Sequence, residues 1–186
     1  AAYDLVSTNY SIAETLYLLT NASVAAIAGL TNISTVTGVA VSILQAYGKG
    51  IEYMKQAMDS LFITVKIGRL RFEDLEKELG NVLPAANVAR VGMDELNAAI
   101  AFLTLRGIAT NEAVTALNRL ITQLSAPTTE IKKNLKDLGI VTLDTYGRML
   151  PLVDILKQMI GLSPEQIRRI TGEMRAGKAA FALVSG

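Results

Sequence analysis

Apolar residues recur every three or four positions along almost the whole chain, and glycine or proline breaks the pattern at short intervals. That is the helical period, in which i, i+3, i+4 and i+7 share a face, so the pattern predicts many short helices. The first apolar run holds Leu16, Leu18, Leu19, Val24, Ala25, Ile27, Ala28 and Leu30. The second holds Val36, Val39, Ala40, Val41, Ile43 and Leu44, after a polar break at Thr31-Asn32. Two helices joined by a tight turn fit this pattern, with Gly29 ending the first and Asn32 or Ser34 capping the second. Gly48-Lys49-Gly50 reads as a joint. The helix predicted over residues 51–67 sets Met54, Met58, Leu61 and Val65 on one stripe, with Lys55, Asp59 and Lys66 to its side. Residues 72–79 follow as a short acidic helix with Leu75 and Leu79 one turn apart, and Pro84 predicts a kink or restart near Val82. A short helix of small residues is predicted over 85–91.

The pattern continues through residues 93–106, with Leu96, Ile100 and Leu103 on one face. Gly107 closes that helix, and Thr110 or Asn111 is the expected cap of a helix running to Ser125. A shift of 78 residues lays Gly29 on Gly107, Leu30 on Ile108, Val36 on Val114, Thr37 on Thr115 and Ile43 on Ile121. This is a weak internal repeat of helix, glycine turn and helix. Pro127-Thr128 opens the next helix with Thr128 as N-cap, and Gly139 ends it with Ile140 placed for the apolar contact of a left-handed cap. Residues 140–150 read as a small β-hairpin or extended turn, with Asp144 and Gly147 at tight-turn spacing. Pro151 opens a helix that reaches Gly161. Ser163-Pro164 is the clearest capping signal, for a helix ending near Gly172, and residues 175–181 form a last short helix. The expected fold class is all-α, an array of short helices and helical hairpins. Its parts are an uncharged apolar hairpin (1–48), a central helical region (49–139) and a C-terminal region (140–186), forming one continuous helical unit.

Composition narrows the function classes. Half of the 186 residues are apolar but only 5% are aromatic, which suits close helix packing. With no Cys there is no disulfide or thiolate metal site, and with no His the commonest general base and neutral metal ligand are gone. The net charge of +1 is mixed along the chain, so no sequence-specific nucleic-acid binding is expected. No secretory signal is visible, and Ala1 as first residue suggests a fragment or processed chain. Residues 15–48 carry no charge, yet Thr20, Asn21, Ser23, Thr31, Asn32, Ser34, Thr35 and Thr37 interrupt every window long enough to span a bilayer. A buried hairpin is the favoured reading, with triggered membrane insertion as the alternative.

Chemical motifs are absent. The acids Glu73, Asp74, Glu76 and Glu78 surround Lys77, which favours a solvated helix face over a cation site. Asp144 lacks the further oxygen ligands of a calcium loop. Gly177-Lys178 lacks the Walker spacing, and no Gly-x-Ser-x-Gly elbow occurs. No catalytic, cofactor or metal residue is assigned, and an enzyme is not expected.

Several pieces, in order and spacing, carry a resemblance. They are Tyr10-Ser11, Ala28-Gly29-Leu30-Thr31, Ala46-Tyr47-Gly48, Phe72-Glu73-Asp74-Leu75 with Leu79-Gly80 and Pro84-Ala85-Ala86, and Leu103-Thr104 with Gly107-Ile108. Ala113-Val114-Thr115-Ala116-Leu117, Pro127-Thr128, Leu138-Gly139-Ile140, Gly147-Arg148-Met149, Pro151-Leu152-Val153-Asp154-Ile155-Leu156 and Ala176-Gly177-Lys178-Ala179-Ala180 complete them. Over about residues 11–182 the chain resembles a helical region of phage tail tape measure proteins. It departs at Arg90 and Gly92, where the family pattern runs Gly and, two residues later, a Ser or Thr cap. The resemblance implies a long, mostly helical protein that lies in the growing tail tube, sets its length and leaves through the tip at infection to help DNA cross the envelope. This segment would be a compact block of it, because repeated glycine and proline stops forbid one long coiled coil. The partners implied are copies of itself as a homo-oligomer, a trimer among the arrangements, with tail tube and tail-tip proteins and tail assembly chaperones. Host-membrane contact through residues 15–48 is the alternative. The places implied are the tail tube lumen or tip of the virion, the host cytoplasm during assembly, and the host envelope at infection. A helical adaptor unrelated to phage is the remaining reading.

Overall fold

The computed structural model describes residues 11–29 and 31–185, and the expectations placed on Ala1, Tyr10 and Leu30 lie outside them. Eleven α-helices occupy the described residues. They are α1 (Ile12–Gly29), α2 (Ile33–Ala46), α3 (Met54–Gly68), α4 (Phe72–Glu78), α5 (Leu83–Val88), α6 (Met93–Leu105), α7 (Thr110–Ser125), α8 (Thr129–Asp137), α9 (Leu152–Gln158), α10 (Pro164–Thr171) and α11 (Met174–Val184). Single 3₁₀ turns precede α3 at Ile51–Tyr53 and α5 at Leu79–Asn81. Pro84 lies in the first turn of α5, where a missing N–H breaks no helical bond, so the chain restarts as a new helix at Leu83.

The caps explain most boundaries. Asn32 accepts the Thr35 N–H at 2.8 Å, and Thr128 accepts the Ile131 N–H at 3.3 Å. Ser163 forms a reciprocal box, accepting the Gln166 N–H at 3.2 Å while Gln166 accepts the Ser163 N–H at 2.8 Å. The expected cap at Thr110 or Asn111 is not made. Ala109 takes the N-cap position with no side-chain bond, and Thr110 is already helical. At the C-terminus of α8, Gly139 adopts φ +70° and lets Ile140 donate back to the Leu135 carbonyl at 2.9 Å, which buries Ile140. Arg90 takes φ +60° and Gly92 is the N-cap of α6, so the departing residues occupy the positions where glycine and a hydroxyl cap would fit more easily.

The β-hairpin expected over residues 140–150 does not form, and no strand occurs among the described residues. One antiparallel bridge joins Leu143 to Met149. The ladder stops because side chains and proline take its next positions. Gln158 accepts the Val141 N–H at 2.8 Å and donates to the Val141 carbonyl at 3.0 Å. Asp144 accepts the Tyr146 and Arg148 N–H groups at 2.8 and 2.9 Å, and Pro151 has no N–H to offer.

The helices pack in two tiers. In one, α3 lies against both α1 and α6; in the other, α4 and α5 each touch both α2 and α7. Each glycine-turn hairpin therefore contributes one helix to each tier. The C-terminal helices cover one flank: α11 packs on α6, α7 and α9, and α10 packs on α7, α8 and α11. One continuous apolar core runs from Leu18 through Leu61, Leu75, Ile100 and Leu117 to Ala180. The stripe read from sequence is part of it, with Met54, Met58 and Leu61 buried.

Candidate interaction surfaces

The acids of α4 reach partners more specific than solvent. The Thr31 hydroxyl donates to the Glu73 carboxylate, and the Thr35 hydroxyl donates to Glu76 at 3.0 Å. Thr31 and Thr35 stand one turn apart at the start of α2, so two carboxylates one turn apart on α4 clamp it. The Thr31 hydrogen bond, aided by a backbone N–H, holds the Glu73 carboxyl below its usual range. Asp74 pairs with Arg71 at 3.3 Å, and Glu78 accepts from Asn81 at 3.3 Å. No group of three or more acids able to hold a metal ion occurs among the described residues.

Among the described residues, two apolar surfaces stand exposed. The first is the outer side of α1, where Ile12, Leu16, Tyr17, Val24 and Ile27 are exposed, Ile27 at 78%. Leu18, Ala22, Ala25 and Ala26 occupy the opposite side and face the core. Since α1 has no charged residue after Glu14, its outer side is uncharged beyond that point, and it is apolar but for polar residues such as the exposed Thr20. No described helix is long and apolar enough to cross a membrane alone, but α1 and α2 pass that composition test as a pair bent by 117°.

The second surface surrounds α6. Gly68 ends α3 in close approach to α6, where a Cβ would fall 3.0 Å from the Ala101 Cα. Above this contact, Ile63 and Ile67 of α3 and Ala98, Phe102 and Leu105 of α6 line a groove of about 500 Å³. A second groove of about 410 Å³ lies on the other side of α6, between it and Val153, Leu156 and Leu183, and shares Ala98 and Phe102 with the first. One end of the α3–α6 groove is polar. Asn97 donates to the Ser60 hydroxyl at 3.0 Å, and Ser60 donates to Asp94 at 2.8 Å. Asn97 is only 2% exposed, and its carbonyl oxygen has no partner among the described residues.

A smaller cavity of about 220 Å³ adjoins Tyr47, Tyr53 and Met93. The buried Tyr47 hydroxyl has no partner among the described residues, and burial, then the nearby Glu95 and Asp94, push it up to about 12.

Neither apolar surface was assigned from sequence. The available signal was apolar residues outside the core stripe: Phe62, Ile63 and Ile67 lie off the line of Met54, Met58, Leu61 and Val65.

Comparison with known proteins places the chain among phage tail proteins. A family described as phage-related minor tail protein matches residues 1–183. The tape measure protein of Pneumococcus phage Dp-1 is 27% identical over 100 residues, covering 52% of this chain and 9% of that protein. The probable tape measure protein of Escherichia phage P2 is 31% identical over 137 residues, covering 68% of this chain and 17% of that protein. The chain thus spans under a fifth of either relative's length. No solved structure matches it. The reading as an adaptor unrelated to phage falls to these matches, and the chain belongs to the phage-related minor tail protein family.

Proposed function

We propose that this chain is a structural block of a tail tape measure protein, acting in tail assembly, length determination and DNA delivery. It does so by packing against copies of itself and against tail tube and tail-tip proteins, after assembly with tail chaperones in the host cytoplasm. Its place in the virion is the tube lumen or the tip. The observation that carries the reading is the outer side of α1, uncharged beyond Glu14 and largely apolar, which none of the other described residues covers. Such a side is a docking surface when it is not core. The test is a pull-down of tail tube and tail-tip proteins with the tagged chain, alongside Leu16→Glu and Ile27→Glu. Capture by the wild type and loss in both variants is expected; no capture, or equal capture by all three, refutes the reading.

The bent pair α1 and α2 supports a second reading, in which this hairpin enters the host membrane and lines a path for DNA. The chain has no cysteine, so Val24→Cys places one fluorophore on the outer side of α1. A blue shift and dye leakage with anionic or neutral vesicles support insertion, and no partitioning into either sinks it.

A further inference from the structure

We infer that the Thr31–Glu73 and Thr35–Glu76 hydrogen bonds form a latch that holds the α1–α2 hairpin shut on the body of the fold and opens before that hairpin enters lipid. This rests on the second reading above and adds what governs it. Among the described residues, these two are the hydrogen bonds that join residues 11–46 to residues 51–185. Thr31, Thr35 and Gly38 stand at i, i+4 and i+7, and Glu73 and Glu76 meet them from α4. A Cβ at Gly38 would lie 3.3 Å from the Glu76 carboxylate, so the bare glycine seats that carboxylate against α2.

Five other polar side chains turn to the hairpin's own backbone. Thr20, Asn21, Ser23, Thr37 and Ser42 each donate to the carbonyl four residues back, at 2.6–2.8 Å. Bonds of this kind let a hydroxyl or amide sit on a helix in lipid without an unsatisfied donor. Thr15 is the exception: its buried hydroxyl has no partner among the described residues, a cost of the shut state that opening removes. Residues 15–48 carry no charge, so both charges of the latch stay with α4 when the hairpin leaves, and neutral hydroxyls go with it.

Water and lipid weigh the two states differently. In water the buried Leu18, Ala22, Val36, Val39, Ile43 and Leu44 keep the hairpin down. Lipid tails are as apolar as these side chains and also take the exposed Leu16 and Ile27. Beside a bilayer the apolar advantage of the shut state therefore shrinks, and the charge-assisted bonds carry a larger share of what holds it. A joint lies at the far end of α2. Gly48 takes φ +60° with open space around it and Gly50 follows across Lys49, so the hairpin swings without a Cβ clash.

The 186-residue chain has no cysteine, so one introduced thiol reports on one place. Ala22 and Ala113 are both fully buried, the first on α1 and the second on α7. In lipid-free buffer, Glu73→Ala with Glu76→Ala should speed maleimide labelling of Ala22→Cys at least about tenfold and leave Ala113→Cys as slow as before. Thr31→Val with Thr35→Val removes the same bonds from the hairpin side and should act alike. Glu78→Ala, whose carboxylate reaches Asn81 instead of the hairpin, should change neither rate. Far-UV circular dichroism shows that each variant is folded. On neutral phosphatidylcholine vesicles, where altered charge attracts nothing, both double variants should partition at least about tenfold more than the wild type. The latch is overturned by unchanged labelling of Ala22→Cys, by an equal rise at Ala113→Cys, or by wild-type partitioning that neither double variant exceeds; insertion itself then still stands on the Val24→Cys fluorophore. Faster labelling of Ala22→Cys with no partitioning of any chain overturns the entry into lipid and the insertion reading with it, and supports the latch alone.

Discussion

Replacing Gly68 by alanine tests the close approach of α3 to α6. A Cβ there falls 2.5 Å from the Thr104 hydroxyl oxygen and 3.0 Å from the Ala101 Cα. Carbon atoms settle about 3.5–4.0 Å apart, so the α6 backbone must retreat by about 0.5 Å or more. Thr104 cannot simply swing aside. Its hydroxyl bonds the Ile100 and Ala101 carbonyls at 2.9 and 3.1 Å, and a new rotamer gives up both. Overpacking of this kind costs about 1–3 kcal/mol. The helix-forming gain from glycine to alanine is about 0.8–1.0 kcal/mol in a helix interior, and less at Gly68, the last residue of α3. Gly68→Ala is therefore expected to lose about 1–2 kcal/mol. Gly80 provides the contrast. A Cβ there meets nothing within 4 Å and its φ is not positive, so Gly80→Ala should gain about 0.4–1 kcal/mol by restricting the unfolded chain. Urea unfolding followed by far-UV circular dichroism measures both. If Gly68→Ala is as stable as the wild type, the tight α3–α6 approach is wrong.

Tyr47 gives a pH dependence. Its hydroxyl is pushed from 10.0 to about 12 in the fold, so the folded state holds its proton more tightly. The stabilisation is whole below about pH 10 and is lost as pH rises toward about 12. The full difference would be about 3 kcal/mol, and screening of the partly exposed ring reduces it to roughly 1–2 kcal/mol. Denaturation midpoints between these pH values should fall in the wild type and fall less in Tyr47→Phe; equal slopes would refute it. Ser163→Ala removes the cap of α10 and should cost about 1–2 kcal/mol, lowering Tm by about 2–8 °C. An unchanged thermal midpoint counts against the capping box. Thr35→Val removes the Glu76 contact and should cost about 0.5–1.5 kcal/mol. Hydrogen exchange should then quicken in α2 more than in α7, and equal protection would show that the α4 clamp does not hold α2.

The helix inventory was legible because punctuation is local. Asn32, Thr128 and Ser163 cap as their types predict, and Gly139 and Gly172 adopt the left-handed conformation that stops a helix. Errors arose where a local signal had a distant competitor. Residues 140–150 have hairpin chemistry, but Gln158 of α9 takes the Val141 backbone groups that a ladder would use. The acids of α4 read as solvated, yet Thr31 and Thr35 lie across from them only because α2 packs there. The surfaces were least legible. Ile63 and Ala98 sit far apart in the chain and share a groove because Gly68 lets α3 approach α6, a fact no window of residues contains.

The internal repeat gains weight when burial is set against it. At the shift of 78 residues, Leu18, Ala22 and Ala25 fall on Leu96, Ile100 and Leu103, and all of them are buried. On the second helices, Val36, Val39 and Ile43 fall on Val114, Leu117 and Ile121, buried again. Punctuation alone would align the glycine turns without fixing which side of each helix faces inward. The outer sides agree as well: Val24 and Ile27 fall on Phe102 and Leu105, apolar residues left in part or wholly uncovered. Since α1 and α6 both pack against α3, the two hairpins present corresponding ridges from the same tier. The difference between them is charge. Asp94, Glu95 and Arg106 border the α6 ridge, whereas the α1 ridge beyond Glu14 has none. A charged border fixes the orientation of a partner, and an uncharged one accepts many, so the two ridges differ in how narrowly each would select what docks on it.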